Sequence, residues 1–233
     1  MVAQVAPTNR STAVVPALEI HALTKEYGGV PVFRGLDLVV PAGGSLAVVG
    51  PRGTGKTTLL GIAAGLIRPT WGTVRVGGID PVRSPERLHK HTGVMFAEPS
   101  FYGWLTGREA LLFQGRFAGS TAGWSERRCR ELLTIAGLEG AAKERVEWYL
   151  PAIRRRLAIV QALVCDPDVV LLDEPAASFE GPDRLEILKV LERLTGVTTV
   201  VFTTDRLSDA DSTGTDAVLF HHGRVEPAVG TSG

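Results

Sequence analysis

The sequence predicts an α/β fold in which a mostly parallel sheet carries helices on both faces. Short apolar runs, which are typical of buried strands, alternate with segments of helical character along most of the chain. One such run leads through a glycine-rich loop directly into a helix, and a later run ends in two adjacent carboxylates. Because parallel sheets bind ligands at the carboxyl ends of their strands, we expect both features to face one ligand crevice.

The composition is that of a globular protein and argues against two classes of function. The chain has 233 residues, of which 44% are hydrophobic and 21% charged, enough for one domain with a subdomain. Its 25 basic residues equal its 25 acidic residues, so no charge excess favours a nucleic-acid partner. No apolar run is long enough to span a bilayer. Any membrane role must therefore go through a partner.

Two further features concern the compartment of the protein. Segment 1–16 lacks the charged start and apolar core of a signal peptide, and we expect it to be flexible. Cys129 and Cys165 do not form a C-x-x-C pattern, which favours a pair of reduced cytosolic cysteines.

In the first half of the chain, strands alternate with short helices. Strands are predicted over residues 18–23, 33–40, 45–49 and 73–76, and a helix over 59–66. In the second strand, Leu36, Leu38 and Val40 alternate with Asp37 and Val39. Ser84 and Pro85 form a helix start, with serine as the cap and proline in the first helical position.

In the second half, a helical stretch precedes a return of the α/β pattern. Thr106 and Glu109 have the spacing of a capping box, which predicts a helix beginning there. Ser125 is predicted to cap a second helix that runs to about Ile135 and ends at Gly137. Further helices are predicted over 154–165 and 182–195, and strands over 168–172, 197–203 and 216–220.

The glycine-rich loop fits the phosphate-binding pattern G-x-x-x-x-G-K-[ST]. Successive backbone N–H groups of such a loop form a bowl for a triphosphate, and glycines let the backbone approach closely. Lys56 is predicted to contact the β and γ oxygens, and the Thr57 hydroxyl to hold Mg²⁺. A glycine-rich turn with a chance lysine is the alternative, but the flanking strand and helix favour the anion site. The predicted nucleotide-binding residues are Gly50, Pro51, Arg52, Gly53, Thr54, Gly55, Lys56, Thr57 and Thr58.

A second motif follows the apolar run at residues 169–172. Asp173 is placed to hold Mg²⁺, directly or through water, and Glu174 to orient or deprotonate an attacking water. Two carboxylates at a strand end can also be a solvated terminus, but the phosphate loop favours a site. Glu174 is therefore the predicted catalytic residue, and Thr57 and Asp173 are the predicted metal ligands.

With these motifs, the chain resembles the ATP-binding subunit of an ABC transporter over about residues 17–228. Residues 105–109 resemble the opening of the helical subdomain in the drug- and antibiotic-export branch, and the run from Arg155 through Asp166 to Pro175 follows the family order. Tyr27 stands where the family stacks an aromatic ring on adenine, although an ordinary core tyrosine is equally compatible.

The resemblance implies a P-loop NTPase fold of the ABC type. It implies a mostly parallel sheet wrapped by helices, an N-terminal antiparallel β subdomain, a helical subdomain over about 98–152 and a flexible tail over 229–233. It also implies ATP and Mg²⁺ as ligands, a head-to-tail dimer with a second ATP-binding subunit, and a membrane-spanning partner. The expected location is the cytoplasm, on the inner face of the cell membrane, and the expected direction of transport is export.

The sequence departs from the family at the elements that support hydrolysis. The Leu-Ser-Gly-Gly-Gln signature falls at residues 149–153, where Leu150 cannot hydrogen-bond through its side chain and Pro151 has no N–H. The family's glutamine falls near Ala97 or Glu98, and its switch histidine at Asp205, where an ionised carboxylate would repel the γ-phosphate. Residues 177–180 read Ala-Ser-Phe-Glu where Ser-Ala-Leu-Asp is usual.

These departures predict an ATP-binding subunit that hydrolyses ATP weakly. Because two copies would give two sites with deficient signatures, pairing with a different ATP-binding chain is favoured over a homodimer. The alternative is a regulatory or scaffold module that binds nucleotide without hydrolysing it; a nucleic-acid-associated ATPase is disfavoured. Phe101, Tyr102 and Trp104 either receive the membrane partner or pack the subdomain core, and the sequence leaves both open.

Overall fold

The computed structural model describes residues 3–4, 15–96, 100–117, 126–221 and 223–228. Within these residues the strands are β1 (Ala3–Gln4), β2 (Leu18–Tyr27), β3 (Val30–Val40), β4 (Ser45–Val49), β5 (Trp71–Val76), β6 (Thr92–Met95), β7 (Val169–Leu172), β8 (Thr199–Thr204), β9 (Asp216–His221) and β10 (Arg224–Pro227). The helices are α1 (Lys56–Ala63), α2 (Pro85–His91), α3 (Gly107–Phe117), α4 (Glu126–Ala136), α5 (Pro151–Gln161), α6 (Gly181–Leu194) and α7 (Leu207–Thr213), with a 3₁₀ turn at Val146–Trp148.

The larger sheet is parallel except at one edge. Its described strands lie in the order β10-β9-β4-β8-β7-β6, and only the β9–β10 pair is antiparallel. β4 lies between β8 and β9, and β7 lies between β8 and β6. The strands that precede the phosphate loop and Asp173 are thus central and separated by β8 alone. The predicted α/β fold class is confirmed.

Both faces of this sheet are buried, as the apolar character of its strands predicts. In β4, Leu46 and Val48 join one apolar cluster with β2, β3, β5 and α1. Ala47 and Val49 point to the other face and join a second cluster with helices α3 to α6. β7 alternates in the same way. Because both faces are buried, the positions of the strand ends are fixed, and so are the starting points of the loops that follow them.

A smaller sheet in the order β1-β3-β2-β5 forms the N-terminal β region. β2 pairs antiparallel with both β3 and β5, which confirms the antiparallel arrangement that the resemblance implies. Burial of Leu36, Leu38 and Val40 confirms the predicted alternation. Of segment 1–16, predicted to be flexible, Ala3–Gln4 forms β1 beside β3, while residues 1–2 and 5–14 lie outside the described residues, as does the tail 229–233.

Two predicted helix caps have different outcomes. The capping box is confirmed: Glu109 Oε2 accepts from Thr106 N–H at 2.9 Å, and Thr106 Oγ1 accepts from Glu109 N–H at 3.2 Å. The Ser84 cap is wrong, because its side chain makes no capping hydrogen bond and its backbone (φ −138°, ψ 57°) departs from the usual capping conformation. Pro85 does begin α2 as predicted.

Other boundaries shift by a few residues, and five described elements are absent from the sequence-based prediction. Helix α5 begins at Pro151 rather than at 154, while Gly137 ends the α4 region with a positive φ of 64° as predicted. Ser125 lies outside the described residues. The unpredicted elements are β1, β6, α7 and β10, together with the 3₁₀ turn at Val146–Trp148. No helix in the described part of the chain has both the length and the apolar character that a membrane crossing needs.

Candidate nucleotide site

The phosphate loop joins β4 to α1 and needs glycine at two close approaches. A Cβ on Gly50 would lie 2.3 Å from the Phe220 carbonyl oxygen, and one on Gly55 would lie 2.3 Å from Val32 Cγ1. Gly55 also has a φ of 104°, in the region that side chains disfavour. Helix α1 begins at Lys56, so the unpaired N–H groups of its first turn face the loop.

Lys56 is buried inside the loop, with a side chain only 3% exposed. Its Nζ donates to the carbonyl oxygens of Gly50 at 2.7 Å and Pro51 at 2.9 Å. The same atom lies 3.3 Å from Glu174 Oε1, so the cation of the loop and the carboxylate after β7 form an ion pair. Sequence positions far apart thus converge on one charged centre.

The two predicted metal ligands contact each other. Thr57 Oγ1 donates to Asp173 Oδ2 at 2.8 Å, across the gap between α1 and the end of β7. The other carboxylate oxygen, Oδ1, accepts from Thr203 Oγ1 at 2.7 Å. Thr203 Oγ1 also accepts from Glu174 N–H at 2.8 Å.

Glu174 has a φ of 46°, which a residue with a side chain rarely adopts. Such a conformation costs about 1–3 kcal/mol and persists where the surroundings impose it. Here the bond from its N–H to Thr203 is one of those constraints. The backbone bends after Asp173, and the Glu174 carboxylate lies beside Lys56.

The residues present fit a magnesium-bound triphosphate. A hydroxyl and a carboxylate are the hard oxygen ligands that Mg²⁺ prefers, and Lys56 with the α1 N–H groups suits phosphate oxygens. The protein side chains alone do not form a complete metal site. Among the described residues, no group of three or more His, Cys, Asp or Glu side chains could hold a metal. Magnesium here would need the ligand's own oxygens and water.

A protein-family model described as "ABC transporter" matches residues 33–177, a stretch that contains the phosphate loop, Asp173 and Glu174. This chain belongs to the ABC transporter family of ATP-binding domains.

Individual relatives agree with this membership. The chain is 35% identical to the daunorubicin/doxorubicin resistance ATP-binding protein DrrA of Streptomyces peucetius, over 96% of this chain and 68% of that protein. It is 29% identical to the linearmycin resistance ATP-binding protein LnrL of Bacillus subtilis, over 83% of this chain and 63% of that protein. A solved structure of an ATP-binding subunit of an ABC transporter superposes with a TM-score of 0.77 at 26% identity, covering 90% of this chain and 88% of the other.

Tyr27, the predicted adenine contact of this ABC domain, lies at the end of β2 and is 51% exposed. Exposure disfavours the alternative of an ordinary core tyrosine. Lys25 Nζ lies 4.5 Å from the centroid of the ring, a cation–π contact, and donates to the Arg68 carbonyl oxygen at 3.0 Å. Its contact with adenine stays a prediction.

Asp205, at the switch position of this ABC domain, begins the loop after β8. Gly50 N–H donates to the Thr204 carbonyl oxygen at 3.0 Å, which places Asp205 beside the first residue of the phosphate loop. Its Oδ1 lies 4.0 Å from Arg184 Nη2 and 3.9 Å from Arg206 Nε. These guanidinium groups offset part of its charge, but an ionised aspartate still offers no hydrogen to a phosphate.

Arg184 ties this loop to the one that follows Glu174. It forms a buried pair with Asp209, with Nε–Oδ1 at 3.0 Å and Nη2–Oδ2 at 2.5 Å, and Thr204 Oγ1 donates to the same carboxylate. Its Nη1 donates to the carbonyl oxygens of Ala176 at 2.8 Å and Phe179 at 3.3 Å. The loop at residues 175–180 and the segment at 204–209, which runs from the end of β8 into α7, therefore share one buried cation.

A second, exposed pair joins the same two loops. Arg206 Nη1 donates to Glu180 Oε2 at 2.9 Å. Hydrogen bonding from Arg206 lowers the pKa of the Glu180 carboxyl below its ordinary value, so the pair stays ionised at neutral pH. Glu180 stands where the family has aspartate, and its carboxylate is engaged within this chain.

The signature position lies at the start of α5. Leu150 is the N-cap residue, makes no side-chain cap and is 68% exposed, and Pro151 occupies the first turn. The helix N-terminus is thus present without the hydroxyl and glycine N–H groups that the family places there. Ala97 and Glu98, the candidates for the family's glutamine, lie outside the described residues.

Sequence reasoning missed Thr203 and Arg184. Thr203 carried a usable signal, because it is a polar residue at the carboxyl end of an apolar strand that neighbours the Asp173 strand. No sequence pattern indicated a role for Arg184, since an arginine in the first turn of a helix is usually exposed to solvent. Its burial follows from how α6 packs against α7.

Proposed function

We propose that this chain is the ATP-binding subunit of an exporter and hydrolyses ATP slowly to drive a membrane-spanning partner at the inner face of the cell membrane. The observation that carries the proposal is a pair of contacts between the phosphate loop and the end of β7, Thr57 with Asp173 and Lys56 with Glu174. Membership of the ABC transporter family supports ATP as the substrate. The resistance names of DrrA and LnrL support export of a small toxic compound as the task of the complex.

Each residue of the site has a distinct role in this proposal. The loop N–H groups and Lys56 bind the phosphate oxygens, and Tyr27 stacks on the base. Thr57 and Asp173 hold Mg²⁺, which neutralises phosphate charge when bound. Glu174 orients the attacking water and accepts its proton. The other predicted loop residues, Pro51, Arg52, Gly53, Thr54 and Thr58, shape the bowl.

Slow turnover follows from Asp205. A switch residue that donates a hydrogen bond to the γ-phosphate stabilises charge in the transition state, and loss of one such donor reduces turnover by about a hundredfold or more. Asp205 accepts but does not donate. Since Glu174 keeps its place beside Lys56, hydrolysis is reduced rather than abolished.

Leu150 supports pairing with a second, different ATP-binding subunit. Its exposed apolar side chain and the imino nitrogen of Pro151 offer no hydrogen bond to a nucleotide held by a partner. A homodimer of this chain would therefore have two nucleotide sites that both lack the hydrogen-bond donors of an intact signature. A partner subunit with an intact signature would complete one competent site on the phosphate loop of this chain.

The membrane partner is proposed to dock on exposed aromatic residues beside α3. Tyr102 and Trp104 are 49% and 64% exposed, and Tyr102 packs on Trp104 and Phe113 at centroid distances of 4.9 and 5.3 Å. Phe101, in contrast, packs partly buried against the core. The sequence left open whether these residues pack the core or receive the partner. We assign core packing to Phe101 and contact with the partner to Tyr102 and Trp104.

The altered positions also favour a second candidate, a regulatory module that binds ATP without turnover. Steady-state hydrolysis by the purified protein and by Glu174→Gln separates the two, with the exposed Glu192→Gln as the matched control. We expect slow Mg²⁺-dependent hydrolysis that Glu174→Gln abolishes without loss of ATP binding and that Glu192→Gln leaves unchanged. No hydrolysis by the unaltered protein, with ATP binding retained, would establish the module instead.

A further inference from the structure

Thr203 is a buried hydroxyl between the two carboxylates of the nucleotide site. It lies on β8, next to the end of β7, and is 0% exposed. Its Oγ1 donates to Asp173 Oδ1 at 2.7 Å and accepts from Glu174 N–H at 2.8 Å. One side chain therefore contacts both the predicted metal ligand and the backbone of the predicted catalytic base.

The contact with Asp173 decides which of its oxygens is available. Because Oδ1 is engaged by Thr203, rotation of the carboxylate would break this part-buried hydrogen bond. Oδ2 is thereby kept on the side of Thr57, 2.8 Å from its hydroxyl. Carboxylates that ligate metals are commonly held by such an outer partner, and its loss weakens metal affinity about 10–100-fold.

The contact with Glu174 acts on the backbone. The φ of 46° at Glu174 is a conformation that most residues leave unless something holds them. A valine at position 203 would leave the Glu174 N–H without this acceptor. The same change would thus loosen the turn that directs the Glu174 carboxylate toward Lys56.

We propose that Thr203 is a positioning residue that orients Asp173 for Mg²⁺ and holds the turn at Glu174. The inference rests on the proposed function, in which the site binds ATP with Mg²⁺. Thr203 acts through its neighbours and not on the nucleotide itself. Its removal therefore weakens binding much more in Mg²⁺ than in EDTA, whereas a residue that merely packs the strand would affect both conditions equally.

The same strand offers a matched control. Thr199, at the other end of β8, is also buried, at 2% exposed, and its Oγ1 accepts from Gly43 N–H at 2.8 Å. Thr199→Val removes a buried, hydrogen-bonded hydroxyl from β8 just as Thr203→Val does. It leaves the Asp173 end of the strand intact.

The experiment is calorimetric titration of ATP into the full chain, once with Mg²⁺ and once with EDTA. We expect Thr203→Val to weaken ATP binding about 10–100-fold in Mg²⁺ and less than about threefold in EDTA. Thr199→Val should match the unaltered protein in both. Thr203→Ser and Thr203→Ala form a second pair that differs only in the hydroxyl, so it decides the question if the valine variant does not fold.

Three results would overturn the inference: equal affinity of Thr203→Val and the unaltered protein in Mg²⁺, equal weakening in Mg²⁺ and EDTA, or equal affinities of the Ser and Ala variants. If the unaltered protein takes up no ATP in Mg²⁺, the proposed function fails and the role of Thr203 fails with it. If instead the unaltered protein binds ATP and the variants bind it equally well, only the role of Thr203 fails.

Discussion

Lys56 Nζ lies 3.3 Å from Glu174 Oε1, so the cation of the phosphate loop is paired with the carboxylate that follows β7. The lysine is almost fully buried, and its other contacts are the carbonyl oxygens of Gly50 and Pro51. An incoming triphosphate brings negative charge that competes with Glu174 for this cation. We therefore expect nucleotide binding to loosen the pair and leave the Glu174 carboxylate free to act on water.

Lys56→Ala tests the charge at this centre. Hydrogen bonds to a charged group contribute about 1.5–3 kcal/mol, so we expect ATP binding to weaken at least tenfold. Calorimetry measures the affinity, and circular dichroism checks the fold. Lys189→Ala is the control, because Lys189 is an exposed lysine paired with Glu186 on α6. If Lys56→Ala binds ATP as well as the unaltered protein does, the assignment of the site is contradicted.

Arg184→Met tests the buried link between the two loops. The change leaves Asp209, which is 2% exposed, without its cation, and breaking a buried pair in this way costs about 3–5 kcal/mol. We expect a large drop in the thermal midpoint, part of which Asp209→Asn recovers when added. Arg206→Met removes the exposed pair with Glu180 and should leave the midpoint unchanged. Equal shifts of the thermal midpoint in Arg184→Met and Arg206→Met would show that burial of the Arg184 pair does not add to stability.

Asp205→His tests the reason for slow turnover. A histidine there supplies a donor beside the first residue of the phosphate loop and removes a negative charge. We expect the hydrolysis rate of the subunit to rise at least about tenfold, with ATP affinity unchanged or higher. Asp211→His, at an exposed position on α7, is the control. An unchanged or lower rate in Asp205→His would mean that position 205 does not limit hydrolysis.

Much of the site was predictable because its parts are local. The phosphate loop is a continuous segment with a recognisable spacing of glycines, and the strand and helix around it have clear sequence patterns. The same holds for Asp173 and Glu174, which follow an uninterrupted apolar run. The capping box at Thr106 and Glu109 is equally local and is confirmed.

The unpredicted elements depend on distant contacts. β6 is four residues long and contains Gly93, where a Cβ would lie 2.0 Å from the Ala162 carbonyl oxygen at the end of α5. Glycine is needed there for packing, yet in the sequence it weakens the strand pattern. α7 is short and rich in Asp, Ser and Thr, which favour turns over helices, and its Asp209 is held by Arg184 from α6.

The sequence by itself determined the fold class, the phosphate loop and the carboxylates that follow β7, because hydrophobic periodicity and short motifs act over a few neighbouring residues. Only the tertiary structure decided that Thr203 orients Asp173, that Arg184 joins two loops, and that Glu174 pairs with Lys56. These contacts join residues brought together by the order of strands in the sheet. That order is set by burial of both sheet faces, which a local pattern does not encode.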